Sequence, residues 1–219
     1  MPQSLPRKIQ PPAPSRAAGE PTQQSVKSAQ TRARLIDATI RCLVKYGYSD
    51  TTTPKVSAEA GLSRGAMLHH FENGGALMQA AIAELNEKRL RAFRRGVDAT
   101  GHDVKTLVRT YWKQLLSPAF IAFLELAIAS RTDKGLAQIL EPAQVEFRKR
   151  WYGLAIDLFP EWQSDKTKFR LALAVSQSTL EGMAINRLIH GLDEDMIEPV
   201  LASLEEQILA LRRAAAIAD

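Results

Sequence analysis

From residue 29 onward, apolar side chains recur every three or four positions, and no segment alternates apolar and polar residues as a half-buried strand does. In the first of these segments the stripe consists of Leu35, Ala38, Thr39, Cys42, Leu43 and Tyr46. Residues at this spacing share one face of an α-helix. The 219 residues, 45% of them hydrophobic, suffice for one medium domain or two small ones. The sequence therefore predicts an all-α protein.

Capping residues and helix breakers divide this pattern into separate helices. Helix 1 is predicted from Ala29 to Gly47, and short helices follow at 54–60 and 63–70. A longer helix is predicted at 75–98, with Asn73 as its cap. The remaining helices are predicted at roughly 103–116, 118–131, 133–158, 166–190 and 194–216. Pro142 can kink or split the third of these, and Pro199 can mark the first turn of the last.

The segment 51–70 combines capping signals in a specific order. A threonine hydroxyl of Thr51–Thr53 can cap the first short helix, whose first turn holds Pro54. Gly61 can adopt the left-handed conformation that ends this helix, and Ser63 can cap the next. Two short helices joined by a glycine-containing turn, after a longer helix, form a helix-turn-helix motif. The second short helix would be the recognition helix.

The stretch 47–71 strongly resembles the DNA-binding domain of the TetR (tetracycline-repressor) family, and the likeness covers about residues 29–85. The matching positions are Gly47-Tyr48, Thr51-Thr52, Ala60-Gly61-Leu62-Ser63, Gly65, His70-Phe71 and Leu77. The resemblance implies an N-terminal three-helix helix-turn-helix domain at 28–75, with its motif at 52–71. It further implies a C-terminal helical bundle at 76–219 that binds an effector and forms a homodimer.

Two positions depart from the family pattern. Leu68 stands where most members have a tyrosine that often touches a DNA phosphate, and Gly74 stands where they have a lysine. Each change removes a possible phosphate contact. Backbone amides at the start of the following helix could still face a phosphate.

The chemistry of the second short helix also favours DNA as its partner. Gly65 and Ala66 permit close approach to the major groove, and Arg64 can donate two hydrogen bonds to a guanine edge. Five further residues are expected to contact phosphates or flanking base edges: Thr52, Thr53, Lys55, Ser63 and His69. From the family pattern, His70 is expected to pack inward while its neighbour faces DNA.

The positive charge of the chain is concentrated in its first third. Residues 1–75 hold ten Lys and Arg against five acidic residues, whereas the rest of the chain is neutral, which favours a polyanion such as double-stranded DNA as partner. Residues 1–27 form a basic, Pro-rich segment with few large apolar side chains, which predicts a disordered tail. The single cysteine, the lack of a signal-peptide core and the lack of a bilayer-length apolar run predict a cytoplasmic protein without a membrane partner.

The C-terminal two-thirds offers candidates for a ligand pocket and for a dimer interface. The pocket candidates are Tyr111, Trp112, Phe120, Phe123, Trp151 and Tyr152, with Gln177, Asn186, Glu125 or Glu181 orienting a ligand. Aromatic residues at helical spacing are also typical of an ordinary core. The candidates for the interface, on the last two long helices, are Leu173, Leu180, Met183, Leu188, Val200, Leu204 and Ile208.

These observations predict a transcriptional regulator and not an enzyme. With the family resemblance, the expected function is a homodimeric repressor that binds a palindromic operator and is released by a small-molecule effector. One alternative is a DNA-binding protein without an effector. A second is a serine hydrolase, because Gly61–Gly65 matches G-x-S-x-G with Ser63 as nucleophile and His102 or His190 as base, although that motif requires a strand. No residue spacing indicates a metal site or a cofactor.

Overall fold

The computed structural model describes residues 22–100 and 103–216, and this part of the chain is helical and contains no strand. The prediction of an all-α fold is therefore confirmed. The helices are α1 (Gln23–Asp50), α2 (Thr53–Glu59), α3 (Arg64–His70), α4 (Gly74–Thr100), α5 (Val104–Leu115), α6 (Pro118–Ala129), α7 (Lys134–Leu158), α8 (Lys166–Leu188) and α9 (Ile197–Ala216). Single 3₁₀ turns at Pro160–Trp162 and Glu194–Met196 precede the last two.

Helix α1 starts earlier than the sequence predicted. Thr22 caps it, since its hydroxyl oxygen accepts a hydrogen bond from the backbone N–H of Ser25 at 3.2 Å. Residues 23–27 are helical, although their composition predicts a disordered tail. No proline follows Pro21 in this region, so none interrupts the helix there. The rest of the predicted tail lies outside the described residues, apart from Thr22. At the other end, Gly47 has a φ of 74° and interrupts the helix before its last turn.

The helix-turn-helix forms with one change in capping. Thr52 precedes α2 but makes no side-chain capping bond, while the hydroxyl of Thr51 donates to the carbonyl of Gly47 at 2.7 Å. The expected threonine cap is therefore wrong, because the hydroxyl of Thr51 binds the preceding helix instead. Gly61 adopts a φ of 63°, and the hydroxyl oxygen of Ser63 accepts from the N–H of Ala66 at 3.1 Å, both as predicted.

The later helices agree with the predicted boundaries to within about three residues, and Asn73 caps α4 by accepting from the N–H of Ala76 at 2.9 Å. Pro142 does not split α7, which continues through it. Pro142 and Gln138 are both exposed, so water can reach the carbonyl that loses its helical partner. Pro199 lies in the first turn of α9, as expected.

Two hydrophobic cores divide the fold, and their boundary falls inside α4. The first core joins α1, α2, α3 and the first half of α4 to Ala122 and Leu126 of α6 and to Leu136 and Leu140 of α7. The second core joins the rest of α4, from Leu90, to α5, α8 and α9 and the later part of α7. Helix α6 therefore packs against the helix-turn-helix, although it follows the boundary at residue 76 that the sequence suggested.

No single helix among the described residues is long and apolar enough to cross a membrane. Helices α5 and α6 pass the same test as a pair, by length and composition only, and they meet at a bend of 66°.

Candidate nucleic-acid interface and interior cavities

The start of α3 is open to solvent. Arg64 and Gly65 are exposed, and Ala66 is half-buried. A Cβ atom added to Gly65 would meet nothing nearer than the hydroxyl of Ser63, at 3.8 Å. The fold itself therefore does not require a glycine at this position. Its lack of a side chain leaves room for a molecule outside the protein to approach the backbone.

The other residues predicted to contact DNA differ in how accessible they are. Thr52 and His69 are exposed, whereas Thr53 and Lys55 are half-buried. The ammonium of Lys55 lies 3.1 Å from a carboxylate oxygen of Asp50, so this charge already has a partner. Ser63 uses its oxygen to cap α3 and retains its O–H as a donor.

The two positions that depart from the family pattern have different surroundings. The side chain of Leu68 is 50% exposed on α3. Gly74 lies beside α2, and a Cβ atom there would come within 3.2 Å of a methyl carbon of Thr53. A side chain at position 74 would therefore require Thr53 to shift by a few tenths of an ångström. His70 is half-buried and lies beside His69, with 5.2 Å between ring centres.

Three arginines of α1 brace the helix-turn-helix. Arg34 donates to the carbonyl of Ala60 at 2.7 Å, and Arg41 forms an ion pair with Glu59 at 2.8 Å. The guanidinium of Arg32 lies 4.7 Å from the ring centre of Phe71. Charge counting could not distinguish these side chains from residues that face DNA, because their partners lie far away in the sequence. Part of the N-terminal positive charge is therefore structural.

A polar contact joins the helix-turn-helix to α6 and α7, and we call Tyr48, Glu125 and Asp133 the Tyr48 junction. The hydroxyl of Tyr48 donates to Asp133 at 2.8 Å, and its backbone N–H donates to Glu125 at 3.3 Å. A Cβ atom at Gly47 would lie 2.9 Å from the same Glu125 carboxylate. Burial and the bond to Asp133 raise the pKa of Tyr48 to about 12. The backbone N–H of Leu136, and then the Tyr48 hydroxyl, lower the pKa of Asp133.

Comparison with known proteins identifies this N-terminal arrangement. The family model for bacterial regulatory proteins of the tetR family matches residues 35–81. An uncharacterized HTH-type transcriptional regulator of Mycobacterium tuberculosis is 28% identical over 167 residues, which cover 75% of this chain and 86% of that one. The chain therefore contains a DNA-binding domain of the TetR family. TetR-family proteins are DNA-binding transcriptional regulators, often repressors, so the serine-hydrolase alternative is rejected.

Other relatives and solved structures match in part or at the level of the fold. The nicotine-responsive transcriptional repressor HdnoR of Paenarthrobacter nicotinovorans is 32% identical over 96 residues, 42% of this chain and 49% of that one. The multidrug binding protein EbrR, solved in complex with imidazole, has a TM-score of 0.58 and 22% identity over 82% of this chain and 93% of that one. A TetR family transcription regulator from Marinobacter aquaeolei has a TM-score of 0.54 and 18% identity over 84% and 97% of the two chains.

Ser63 lies between two helices, and the described residues include no strand of the kind that a nucleophile elbow needs. Across the same part of the chain, no group of three or more His, Cys, Asp or Glu is placed to hold a metal ion.

The aromatic residues of the second core mostly fill it. Tyr111 and Trp151 pack with 5.7 Å between ring centres and line an apolar cavity of only about 40 Å³. A larger cavity of about 350 Å³, which we call the α4–α5 cavity, lies between α4, α5 and the start of α6, and Tyr111 and Phe120 line it. The other predicted pocket residues line neither of these cavities: Trp112, Phe123, Tyr152, Gln177 and Asn186.

The two acidic candidates for orienting a ligand have other partners. Glu125 belongs to the Tyr48 junction, and Glu181 accepts a hydrogen bond from the hydroxyl of Tyr111 at 2.8 Å. Two of the predicted pocket residues, Tyr111 on α5 and Phe120 on α6, line the α4–α5 cavity, but the sequence did not single out the residues of α4 that line it, among them Arg89. In the sequence this arginine is one of several charges on α4 and resembles part of a solvated face.

Several residues predicted to form the dimer interface are buried in the protomer. Leu180, Met183, Leu204 and Ile208 are buried inside the protomer, where they pack in the second core, and so cannot offer a surface to a second subunit. Leu173 and Val200 are half-buried, and Leu188 is exposed. The exposed large apolar residues of α8 are instead Leu171, Ile185 and Leu188, and α9 exposes Leu209. Periodicity alone could not say which apolar stripe of these helices faces inward.

Proposed function

We propose that this TetR-family regulator is a homodimeric repressor that binds a pseudo-palindromic operator and is released by a small-molecule effector. The observation that supports it most directly is the start of α3. There an exposed Arg64 stands beside Gly65, a glycine that the fold does not require. A helix end with an exposed guanidinium and little side-chain bulk suits insertion into the major groove.

The proposed DNA contacts fall into two groups. Arg64 reads a guanine edge, with Gly65 and Ala66 allowing close approach to the bases. A second set positions the motif on the phosphates and flanking edges: Thr52, Thr53, Lys55, Ser63 and His69. We expect Lys55 to contribute less than an unpaired lysine, because Asp50 shares its charge.

The proposed dimer uses the outer face of α8 together with α9. Leu171, Ser178 and Ile185 are spaced by seven residues, so they share one face of α8, and all three are exposed. Gly182 lies near this face, and a Cβ atom there would meet nothing within 4 Å in the protomer. Two exposed apolar residues on either side of a small serine, with a glycine that the protomer does not need, favour close packing of another helix. A twofold dimer places two recognition helices on two half-sites.

The proposed release depends on the connection between the α4–α5 cavity and α3. Helix α4 begins near Thr53 of α2, at Gly74, and lines the cavity with Arg89, so one helix connects the cavity to the first helix of the helix-turn-helix. The Tyr48 junction is a second connection. A ligand that favours the form unable to fit the operator would weaken DNA binding by the same coupling free energy with which DNA weakens ligand binding, typically about 1 to 3 kcal/mol. HdnoR and EbrR, whose names include a small-molecule response or binding, support an effector, as does a cavity of this size.

The experiment that tests this proposal is selection of bound sequences from a random duplex pool by the purified full chain at near-physiological salt. We expect enrichment of a pseudo-palindromic sequence, bound with two protomers per duplex in a subsequent titration. Arg64→Ala should weaken the enrichment and relax the base preference at the position that Arg64 contacts. Failure of the unaltered chain to enrich any sequence would overturn the proposal. Enrichment of an asymmetric site by a single protomer would overturn the dimer.

A further inference from the structure

Arg89 of α4 carries its charge into the interior of the protein. Its guanidinium carbon lies 4.3 Å from the ring centre of Phe123 and 4.2 Å from that of Phe147. Aromatic faces attract a cation, but they offer no lone pair to its N–H groups. The two rings therefore hold Arg89 in place without satisfying its donors.

The hydrogen-bonding capacity of Arg89 is incompletely used. Its Nη1 atom is shut off from solvent and has no hydrogen-bond partner among the described residues. In the same part of the chain Arg89 forms no ion pair with a carboxylate, and Tyr111 and Glu181 act on it only through their electrostatic fields. Burial lowers the pKa of Arg89, yet an arginine in a protein stays charged. A buried, unsatisfied, charged donor is unfavourable unless something else supplies the acceptor.

A second unsatisfied donor lines the same cavity. The Nε2 atom of Gln114, on α5, is also buried without a partner in the described part of the chain, and both Arg89 and Gln114 line the α4–α5 cavity of about 350 Å³. Native structures pair nearly all their buried polar groups, so two orphaned donors around one cavity point to an acceptor that binds there. A water molecule could satisfy one donor, but the volume is that of a small-molecule site.

The remaining lining residues define the chemistry of that acceptor. Lys88 and Lys113 also line the cavity, and none of the described acidic residues does. The charge of Lys88 is shared with Asp37, at 2.6 Å, while Lys113 is exposed. The apolar part of the wall consists of Ala92, Tyr111, Leu115, Ala119 and Phe120. The walls therefore combine positive charge and N–H donors with an apolar and aromatic surface.

We propose that this cavity binds an organic anion, a carboxylate attached to a small apolar or aromatic body, with Arg89 and Gln114 donating to the carboxylate. An ionised carboxylate only accepts hydrogen bonds and pairs well with a guanidinium, so it satisfies both orphaned donors at once. A cationic ligand is disfavoured by the three basic side chains. The inference rests on the proposed function in one respect only, because the bound anion is an effector only if the protein is the proposed repressor.

The test is calorimetric titration of the full chain, without DNA, with three carboxylates and their uncharged amides: benzoate, 4-phenylbutyrate and octanoate against benzamide, 4-phenylbutyramide and octanamide. We expect one or more of the carboxylates to bind about tenfold more tightly than the matching amide. Arg89→Met should weaken that carboxylate by about 10- to 100-fold, as expected for a lost hydrogen bond to a charged group. Arg148→Met is the matched control, because Arg148 is exposed on α7 and should leave binding unchanged.

A second measurement distinguishes a binding residue from a structural one. If Arg89 serves a ligand, Arg89→Met without ligand should unfold at the same temperature as the unaltered chain or higher, because it removes an unsatisfied buried charge. A lower unfolding temperature would mean that Arg89 supports the fold. Gln114→Leu provides an independent variant and should also weaken the carboxylate.

Three outcomes would overturn the proposal: no carboxylate of the series binds, the amides bind equally well, or Arg89→Met retains binding. None of these readouts involves DNA, so their failure is distinct from failure of the operator selection. A carboxylate that binds while no operator is found would instead leave the cavity assigned and the repressor function rejected.

Discussion

The start of α3 and the α4–α5 cavity each present an arginine, but in opposite environments. Arg64 stands in water at the open end of α3, whereas Arg89 is largely shielded from water and lies over two aromatic rings. A surface arginine can meet a polyanion with little desolvation beyond the contact itself. An interior arginine has already lost hydrogen bonds to water on folding, so an acceptor that binds there replaces those hydrogen bonds. The outward arginine therefore suits a macromolecule, and the inward one suits a small ligand.

Buried and exposed positions also differ in their response to a new charge, and the largest expected effect compares one buried and one exposed position of the same helix. On α8, Leu180 is fully buried and Ile185 is 42% exposed. Leu180→Glu should lower the free energy of unfolding by about 4 kcal/mol or more, because it removes core packing and buries a charge. Ile185→Glu should leave the protomer folded and convert dimers to monomers. Urea unfolding and analytical ultracentrifugation measure the two effects.

The matched control is Ile128→Glu, since Ile128 is 62% exposed on α6, away from the proposed interface. It should change neither the fold nor the association state. If Leu180→Glu gave a folded monomer, the assignment of Leu180 to the protomer core would be wrong. If Ile185→Glu remained dimeric, the proposed α8 face would be wrong.

The next largest effect concerns the surface arginine. Arg64→Ala should reduce binding to the selected operator by about 1 to 3 kcal/mol while changing nonspecific binding little, because a bidentate contact to guanine discriminates between bases. The unfolding temperature should stay the same, since Arg64 is exposed. Titration of operator and scrambled duplexes checks the difference. Equal losses on both duplexes would show that Arg64 contacts phosphate only.

A phosphate-contacting lysine should behave differently from Arg64. Lys55→Ala should weaken operator and scrambled duplexes about equally and lower the slope of log affinity against log salt by about one or less. The change in slope should stay below a full unit if Asp50, at 3.1 Å, keeps part of the charge. The same titrations at several salt concentrations provide the measurement. A loss confined to the operator would move Lys55 into the base-reading group.

The smallest expected effect lies at the Tyr48 junction, between the outward and inward regions. The pKa of Tyr48 is raised from 10.0 to about 12, so the folded state holds this proton more tightly than the unfolded state. The stability that Tyr48 contributes is therefore complete at pH values below its pKa in the unfolded state, and it is lost as the pH rises through about 12. Tyr48→Phe should lower the free energy of unfolding by about 1 kcal/mol near neutral pH and reduce the alkaline loss.

Urea unfolding at a series of pH values from neutral to strongly alkaline measures this effect, with Tyr152→Phe as control because Tyr152 packs on Phe169, outside the junction. An unchanged pH dependence in Tyr48→Phe would contradict the role given to the bond with Asp133. Burial and Glu181 also raise the pKa of Tyr111. Tyr111 therefore contributes a loss of stability at alkaline pH that both variants share.

Most of the helical architecture could be predicted from the sequence, because the signals are local. Gly61 has the left-handed conformation predicted for the turn after α2, Ser63 caps α3, and Asn73 caps α4. Two local signals had more than one possible outcome, and only the structure decided between them. The hydroxyl of Thr51 bonded backward to Gly47 and did not cap α2, and Pro142 was tolerated inside α7.

The candidate sites were less predictable than the helices. The recognition residues follow from a motif, so they could be named in advance, and their contacts with DNA remain predictions. The aromatic residues of the pocket and the apolar residues of the interface were chosen by type, and type does not separate core from surface. Leu180 and Leu204 are buried in the protomer, whereas Ile185 is exposed although it directly follows buried Met183 and Ala184. That distinction depends on how α8 packs against α5 and α9, which no local signal reports.

Short-range signals were enough to define the helical class, the order of the helices and the position of the helix-turn-helix, because periodicity, caps and glycines act within a few residues of one another. The packed fold was needed to reveal that Arg89 and Gln114 are desolvated donors around one cavity, and that Tyr48 binds Asp133 across 85 residues. Burial and pairing depend on which helices meet, and helices far apart in the chain meet through the summed packing of both cores.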